Sequence, residues 1–120
     1  MKKTIILGAS SNPERYSYKA TLKLAQHGHE VVPVGLREGQ IGTHQILTNM
    51  PVVEGIDTVT MYVGAKNQLV YYDYILNQLK PKRIVFNPGA ENAELVKLAN
   101  EKGIATEESC TLVLLSLGSY

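Results

Sequence analysis

Short runs rich in valine and isoleucine alternate along this chain with segments whose apolar residues recur at helical spacing. The runs are "TIIL" (4–7), "EVVPV" (30–34), "DTVTMYV" (57–63) and "KRIVF" (82–86), and "GIAT" (103–106) is a shorter fifth candidate. Their near-continuous apolarity predicts strands covered on both faces, as in a parallel sheet. Three helical patterns lie between them. In "SYKATLKLAQHGH", Tyr18, Leu22 and Ala25 share a face and Gly28 is a stop. In "NQLVYYDYILNQLKP" the face is Leu69, Tyr72, Ile75, Leu76 and Leu79, ending before Pro81. In "ENAELVKLANEKG" it is Ala93, Val96 and Ala99, flanked by Leu95 and Leu98, ending before Gly103. Strand–helix alternation predicts an α/β domain: a doubly wound, mainly parallel sheet of about five strands between two helical layers.

The stretch from Gly35 to Glu54 breaks the alternation. It is glycine-rich, and its strongest extended signal lies around Thr43–Leu47, with a turn before Pro51. The last segment, "TLVLLSLGSY", is mostly apolar and must be covered by its own sheet or by a second copy of the chain. No repeat or internal boundary divides the 120 residues, which therefore read as one domain, 1–120.

Composition narrows the function classes. Charged residues make up 19% of the chain and the net charge is +1, so no basic face is expected to steer it onto nucleic acid. No apolar stretch approaches the roughly 20 residues that span a bilayer, and the apolar run after "MKK" is too short for a signal-peptide core. A cytoplasmic location is the expectation. The single cysteine, Cys110, leaves no disulfide framework and no cysteine-rich zinc site, and no two histidines share metal-ligand spacing with an acid or thiol.

The candidate chemistry sits in "LGASSNPERYS" (7–17), which joins the first strand to the first helix. In a doubly wound sheet this turn lies at the carboxyl edge, where ligands bind. Gly8 admits backbone angles closed to other residues, Ser10 offers a hydroxyl, and Pro13 keeps Asn12 out of the helix. Ser17 is then the candidate helix cap, Arg15 can grip phosphate oxygens, and the first-turn N–H groups suit an anion. The dinucleotide pattern G-x-G-x-x-G is absent, since Ser10 and Pro13 replace its second and third glycines. The second strand ends without the acid that holds an NAD ribose. Three residues past Val34 comes Arg37, a cation suited to a phosphorylated ribose, as in NADP or coenzyme A. A plain polar turn with Arg37 as a solvated charge fits the same spacing.

Taken in order, the segments "LGASSNPERYSYKATLKLAQHGHEVVPV", "DTVTMYVGA", "RIVFNPGAENAELVKLANEKGI" and "EESC" resemble the CoA-binding protein family. These are single-domain relatives of the N-terminal domain of the succinyl-CoA synthetase alpha subunit. The resemblance implies a Rossmann-like fold that binds coenzyme A or an acyl-CoA without catalysing a reaction. It places the pyrophosphate at Gly8, Ala9, Ser10, Asn12, Arg15 and Ser17. Pro33, Val34, Gly35 and Arg37 would border the adenosine and its 3′-phosphate. Tyr62, Val63, Gly64 and Ala65 would shape the adenine or pantetheine wall, and Asn87, Pro88 and Gly89 would close the cleft near the pantetheine arm. Cys110 would lie where the ligand thiol can approach. The chain differs from the family pattern at Gly35-Leu36, where Asn-Pro is usual, in "FNPGAEN", and in its apolar end.

Little points to catalysis. The synthetase's phosphorylated histidine belongs to a domain this chain does not contain. His27 and His29 flank a helix end, where a cation suits the dipole, and only His44 lies in the irregular stretch near the expected site. The tyrosines Tyr71, Tyr72 and Tyr74, with Tyr62, fit either packing on the sheet or a homodimer interface. Two rival functions remain open: an NADP-type nucleotide-binding domain, and a scaffold whose decayed site acts through a protein partner.

Overall fold

The computed structural model describes all of residues 1–120. Five parallel strands form the central sheet: β1 (Thr4–Leu7), β2 (Val31–Val34), β5 (Thr58–Met61), β6 (Arg83–Phe86) and β7 (Ala105–Glu108). Their order is β2-β1-β5-β6-β7, the order of a doubly wound sheet with a Rossmann-like topology. In register, Ile5 stands between Val32 and Val59, and Leu7 between Val34 and Met61. The side chains of β1 and β5 are fully buried, as the continuous apolar runs require.

The two faces of the sheet bury different cores. Ile5, Leu7, Val59, Met61, Ile84 and Phe86 point to one face, under the helical segment 65–79 and helix α2 (Ala93–Glu101). Ile6 points to the other, with Leu24 of helix α1 (Tyr16–Gln26) and Leu115 of helix α3 (Thr111–Ser116). The buried stripe of α1 is Ser17, Ala20, Thr21 and Leu24, one position away from the stripe the periodicity predicts; Leu22 instead packs its tip over the Gly42 turn. Gly28 (φ +87°) ends α1 as expected, with the His29 N–H reaching back to the Leu24 carbonyl.

Three elements depart from the pattern. The stretch after β2 folds into a hairpin, β3 (Gly39–Ile41) and β4 (His44–Ile46), whose Leu47 bridges Val34 at the end of β2. The segment 65–79 is not one regular helix. It makes two 3₁₀ turns, Ala65–Asn67 and Leu69–Tyr71, then a π-helix, Tyr74–Leu79. Asp73 accepts from Asn77 and from Gln78, and the fifth-neighbour bond fits the wider turn. The fifth strand starts at Ala105 rather than Gly103, because Gly103 (φ +77°) and the bond from Ile104 N–H to the Ala99 carbonyl still belong to the end of α2. The apolar final segment covers the chain's own sheet. It forms α3, and the Tyr120 hydroxyl meets the Thr4 hydroxyl at 2.8 Å. No helix is long and apolar enough to cross a membrane.

Candidate functional site

The crossover from β1 leaves toward the α1 face, and the crossover from β5 leaves toward the opposite face. The sheet therefore splits between β1 and β5 at its carboxyl edge, the place where such sheets bind ligands. Three turns meet there. Gly8 has φ +95°, and a Cβ on it would stand 3.1 Å from the Tyr62 carbonyl carbon and 3.2 Å from the Val63 nitrogen. Gly8 and Ala9 both donate to the Val34 carbonyl at 3.0 Å. A Cβ on Gly35 would come within 2.4 Å of the Ala9 carbonyl oxygen. The turns after β1, β2 and β5 thus lie backbone against backbone, which glycine alone permits at Gly8 and Gly35.

The first turn is held by its own polar groups. The Asn12 N–H donates to Ser10 Oγ at 3.1 Å, the Glu14 N–H to Asn12 Oδ1 at 3.0 Å, and the Arg15 N–H to the Asn12 carbonyl at 3.0 Å. This compact turn starts α1 earlier than Pro13 alone suggests. Arg15, extended at φ −75° and ψ 142°, takes the cap position, and Ser17 lies buried inside the first turn. Ser17 is therefore not the cap: its carbonyl accepts from Thr21 Oγ1, and no side chain caps α1. The first-turn N–H groups and the positive end of the helix face the carboxyl edge without a protein acceptor. Arg15 and Arg37 are exposed on the turns after β1 and β2, and neither forms an ion pair.

The far wall is braced from within. Asn87, 2% exposed, donates through its amide to Thr60 Oγ1 (2.7 Å) and the Met61 carbonyl (2.9 Å), and accepts from the Thr111 N–H (2.8 Å). Its side chain is spent tying β5, β6 and α3 together, so it shapes the cleft rather than reaching into it. Thr60 and Thr111 share a hydroxyl bond of 2.7 Å beside it. Gln68, fully buried, donates to the Val63 and Ala90 carbonyls and accepts from Asn92, the side chain that caps α2. That bond pair clamps the turn after β5 to the turn after β6. Gly64, Ala65, Pro88 and Gly89 are exposed at the rim.

Tyr62 is half-buried, and its enclosed hydroxyl has no hydrogen-bond partner. Burial pushes its pKa well up, with the nearby Thr111 and Thr60 hydroxyls offsetting part of the effect. Cys110 is half-buried at the cap position of α3, beyond the end of β7 and on the same edge. The tyrosines of the 65–79 segment are engaged inside the chain: Tyr74 is 1% exposed with its hydroxyl on the Pro51 carbonyl, and the Tyr72 hydroxyl bonds Glu94 and Asn92. His29 accepts from the Lys2 N–H beside Tyr120, near the start of β1 and so at the other end of the sheet. The edge as built offers small residues, backbone donors and two free guanidinium groups. It can hold an extended anionic ligand.

The chain matches the protein-family model described as "CoA binding domain" over residues 2–116. It belongs to that family. Among solved structures, an uncharacterized protein is 51% identical to it, with TM-score 0.97, 100% of this chain and 98% of that chain covered. A hypothetical protein from Pyrococcus horikoshii OT3 is 25% identical, with TM-score 0.82 and coverage of 93% and 80%. A Thermus thermophilus structure, cell-free ID.343, shares the fold at 19% identity and TM-score 0.85, with coverage of 99% and 91%. No curated protein matches the chain. The CoA-binding family and the Rossmann-like α/β fold expected from the sequence are thus both established for it. Sequence reasoning missed the braces Thr60, Gln68 and Thr111, whose partners are distant in the chain.

Proposed function

We propose that this protein binds coenzyme A or an acyl-CoA at the carboxyl edge of its sheet and releases it unchanged. The observation that carries this reading is the family match over nearly the whole chain. The edge geometry supports it. The pyrophosphate lies against the Gly8–Ser17 turn and the first-turn N–H groups of α1, where an anion is favoured by the helix dipole. Arg37, on the turn after β2, takes the ribose 3′-phosphate, and Arg15 takes the pyrophosphate. The pantetheine arm runs along the ends of β5, β6 and β7 toward Cys110. Two of the three histidines, His27 and His29, follow the end of α1 and enter β2 at the opposite end of the sheet, away from any ligand on this edge. The role is that of a soluble binding module for the cofactor.

Calorimetric titration with CoA, dephospho-CoA, NADP and NAD tests the proposal. Saturable CoA binding, weaker for dephospho-CoA and absent for NAD, is expected. Tight NADP binding with no CoA binding would replace it with the nicotinamide reading.

A further inference from the structure

We propose that two copies of this chain join through β7, so that their sheets continue across a two-fold axis with the α2 helices side by side over the joint. The two edges of the sheet are treated differently. At β2 the edge is closed: Pro33 has no N–H, the Leu47 N–H donates to its carbonyl at 2.9 Å, and the Gly35 N–H donates to Leu47 at 2.9 Å. At β7 nothing covers the edge. The N–H groups of Ala105 and Ser109 bond inward to Lys82 and Phe86, so alternation turns the N–H and C=O groups of Thr106 and Glu108 outward. An open edge is a template for another strand.

The surface beside that edge is self-complementary. An open groove of about 590 Å³ runs between β7 and α2, lined by Ala93, Val96, Lys97, Asn100, Glu101 and Glu108. Thr106 Oγ1 donates to Asn100 Oδ1 at 3.3 Å, so the middle of β7 lies under the middle of this helix flank. A two-fold axis at Thr106 sets the two α2 helices antiparallel. Lys97 then meets the partner's Glu101, and Glu101 meets the partner's Lys97, because the two charges are four residues apart on one flank. The strands pair in the register that puts Thr106 against the partner's Thr106. The two threonines exchange backbone bonds, and Glu107 stands opposite the partner's Ala105. The neighbouring register would set Glu107 against its own copy, which like charge disfavours. An unrelated basic peptide could use the same edge, but it would leave the Lys97–Glu101 arrangement without a counterpart. The carboxyl edge of the sheet, with its turns, stays open in the dimer.

Sedimentation velocity over a dilution series tests this. The wild type is expected to sediment as a dimer that dissociates on dilution. T106P removes an outward N–H and spares the inward bonds of Ala105, and it should abolish the dimer. K97E and E101K, both at exposed positions, should each weaken it by about tenfold or more, since each sets like charges face to face. An equimolar mixture of K97E with E101K should restore dimers, because every facing pair is again opposite in sign. Thermal melts by circular dichroism confirm that each variant is folded. A wild type that remains monomeric at millimolar concentration would overturn the proposal. So would a dimer that tolerates T106P and both charge reversals.

Discussion

Gly35→Ala adds one methyl group at the point where the turns after β1 and β2 touch. An ideal Cβ there lies 2.4 Å from the Ala9 carbonyl oxygen, about 0.6 Å inside the 3.0 Å limit that real contacts respect, and 3.2 Å from the Ile46 side chain. The obstructing atom is backbone, so no side chain can swing away. The Ala9 carbonyl sits in a turn pinned by two bonds to Val34, and Gly35 is itself pinned to Leu47. The turns must therefore part, at the overpacking cost of about 1–3 kcal/mol. For a chain of this size that is a fall in Tm of roughly 4–12 °C. The same displacement moves the phosphate turn, so CoA affinity should fall by about tenfold or more as preorganisation is lost. Gly64→Ala is the control: its Cβ meets nothing within 4 Å, and stability should change by less than about 0.5 kcal/mol. Urea unfolding and CoA titration of both variants provide the readout. A Gly35→Ala protein with wild-type stability and wild-type CoA affinity would refute the packing argument for the site.

Arg37→Ala should weaken CoA binding by a charge-assisted contact of about 1.5–3 kcal/mol, roughly ten- to 150-fold, and leave dephospho-CoA almost unaffected, whereas Arg15→Ala should weaken both ligands in the same titrations. Equal losses for both ligands in Arg37→Ala would remove that residue from the 3′-phosphate. Asn87→Leu strands the Thr111 N–H inside the protein, while the Met61 carbonyl keeps its bond from the residue-87 backbone N–H, and should cost about 1–3 kcal/mol, measured by urea unfolding. His29 has its pKa lowered by burial and then by the N-terminus and Lys2, so the unfolded chain takes up its proton first. Its contribution is complete above about pH 6.5 and is lost as the pH falls through the folded-state value; His29→Gln should flatten that slope in melts between pH 5 and 7. Incubation with CoA disulfide should give a slow, reductant-reversible adduct at Cys110, absent in Cys110→Ser by intact mass; a CoA-binding protein that forms none would show the thiol lies off the ligand path.

Much of the architecture was legible because buried parallel strands leave a strong mark. "TIIL" and "TVTM" are apolar or β-branched throughout, and so is "RIVF" after Arg83, since both faces of β1, β5 and β6 are covered. β7 leaves no such mark. Its "ATEE" is an edge strand with exposed ends, held by the backbone ladder to β6 and by the ion pair of Glu107 with Arg83 (3.1 Å) rather than by apolar side chains. The helical spacing of 67–81 held for Ile75, Leu76 and Leu79, all buried, but not for Leu69, which is 66% exposed; in that part of the segment it is Gln68 that is drawn fully inside, bound to Val63 and Ala90, a contact the spacing could not show. The candidate site divides in the same way. Gly8 and the glycine after "VPV" stand out as residues, and the family usually has Asn-Pro where Gly35-Leu36 occurs. The contact of Gly35 with Ala9, which gives that glycine its reason, joins turns 26 residues apart and has no local signature. "FNPG" reads as a turn, and only the fold reveals that every amide hydrogen-bonding atom of Asn87 is used by Thr60, Met61 and Thr111.

The proposed coenzyme A site is the carboxyl edge of the sheet, across the turns after β1, β2 and β5. Amide chemical-shift mapping of the labelled protein during a CoA titration tests it directly. Saturable shifts are expected at Gly8–Ser17, Gly35–Arg37, Gly64 and Gly89, with the opposite edge at Lys3, Lys82 and Gly103 unmoved. Shifts confined to that opposite edge, or none at saturating CoA, would contradict it.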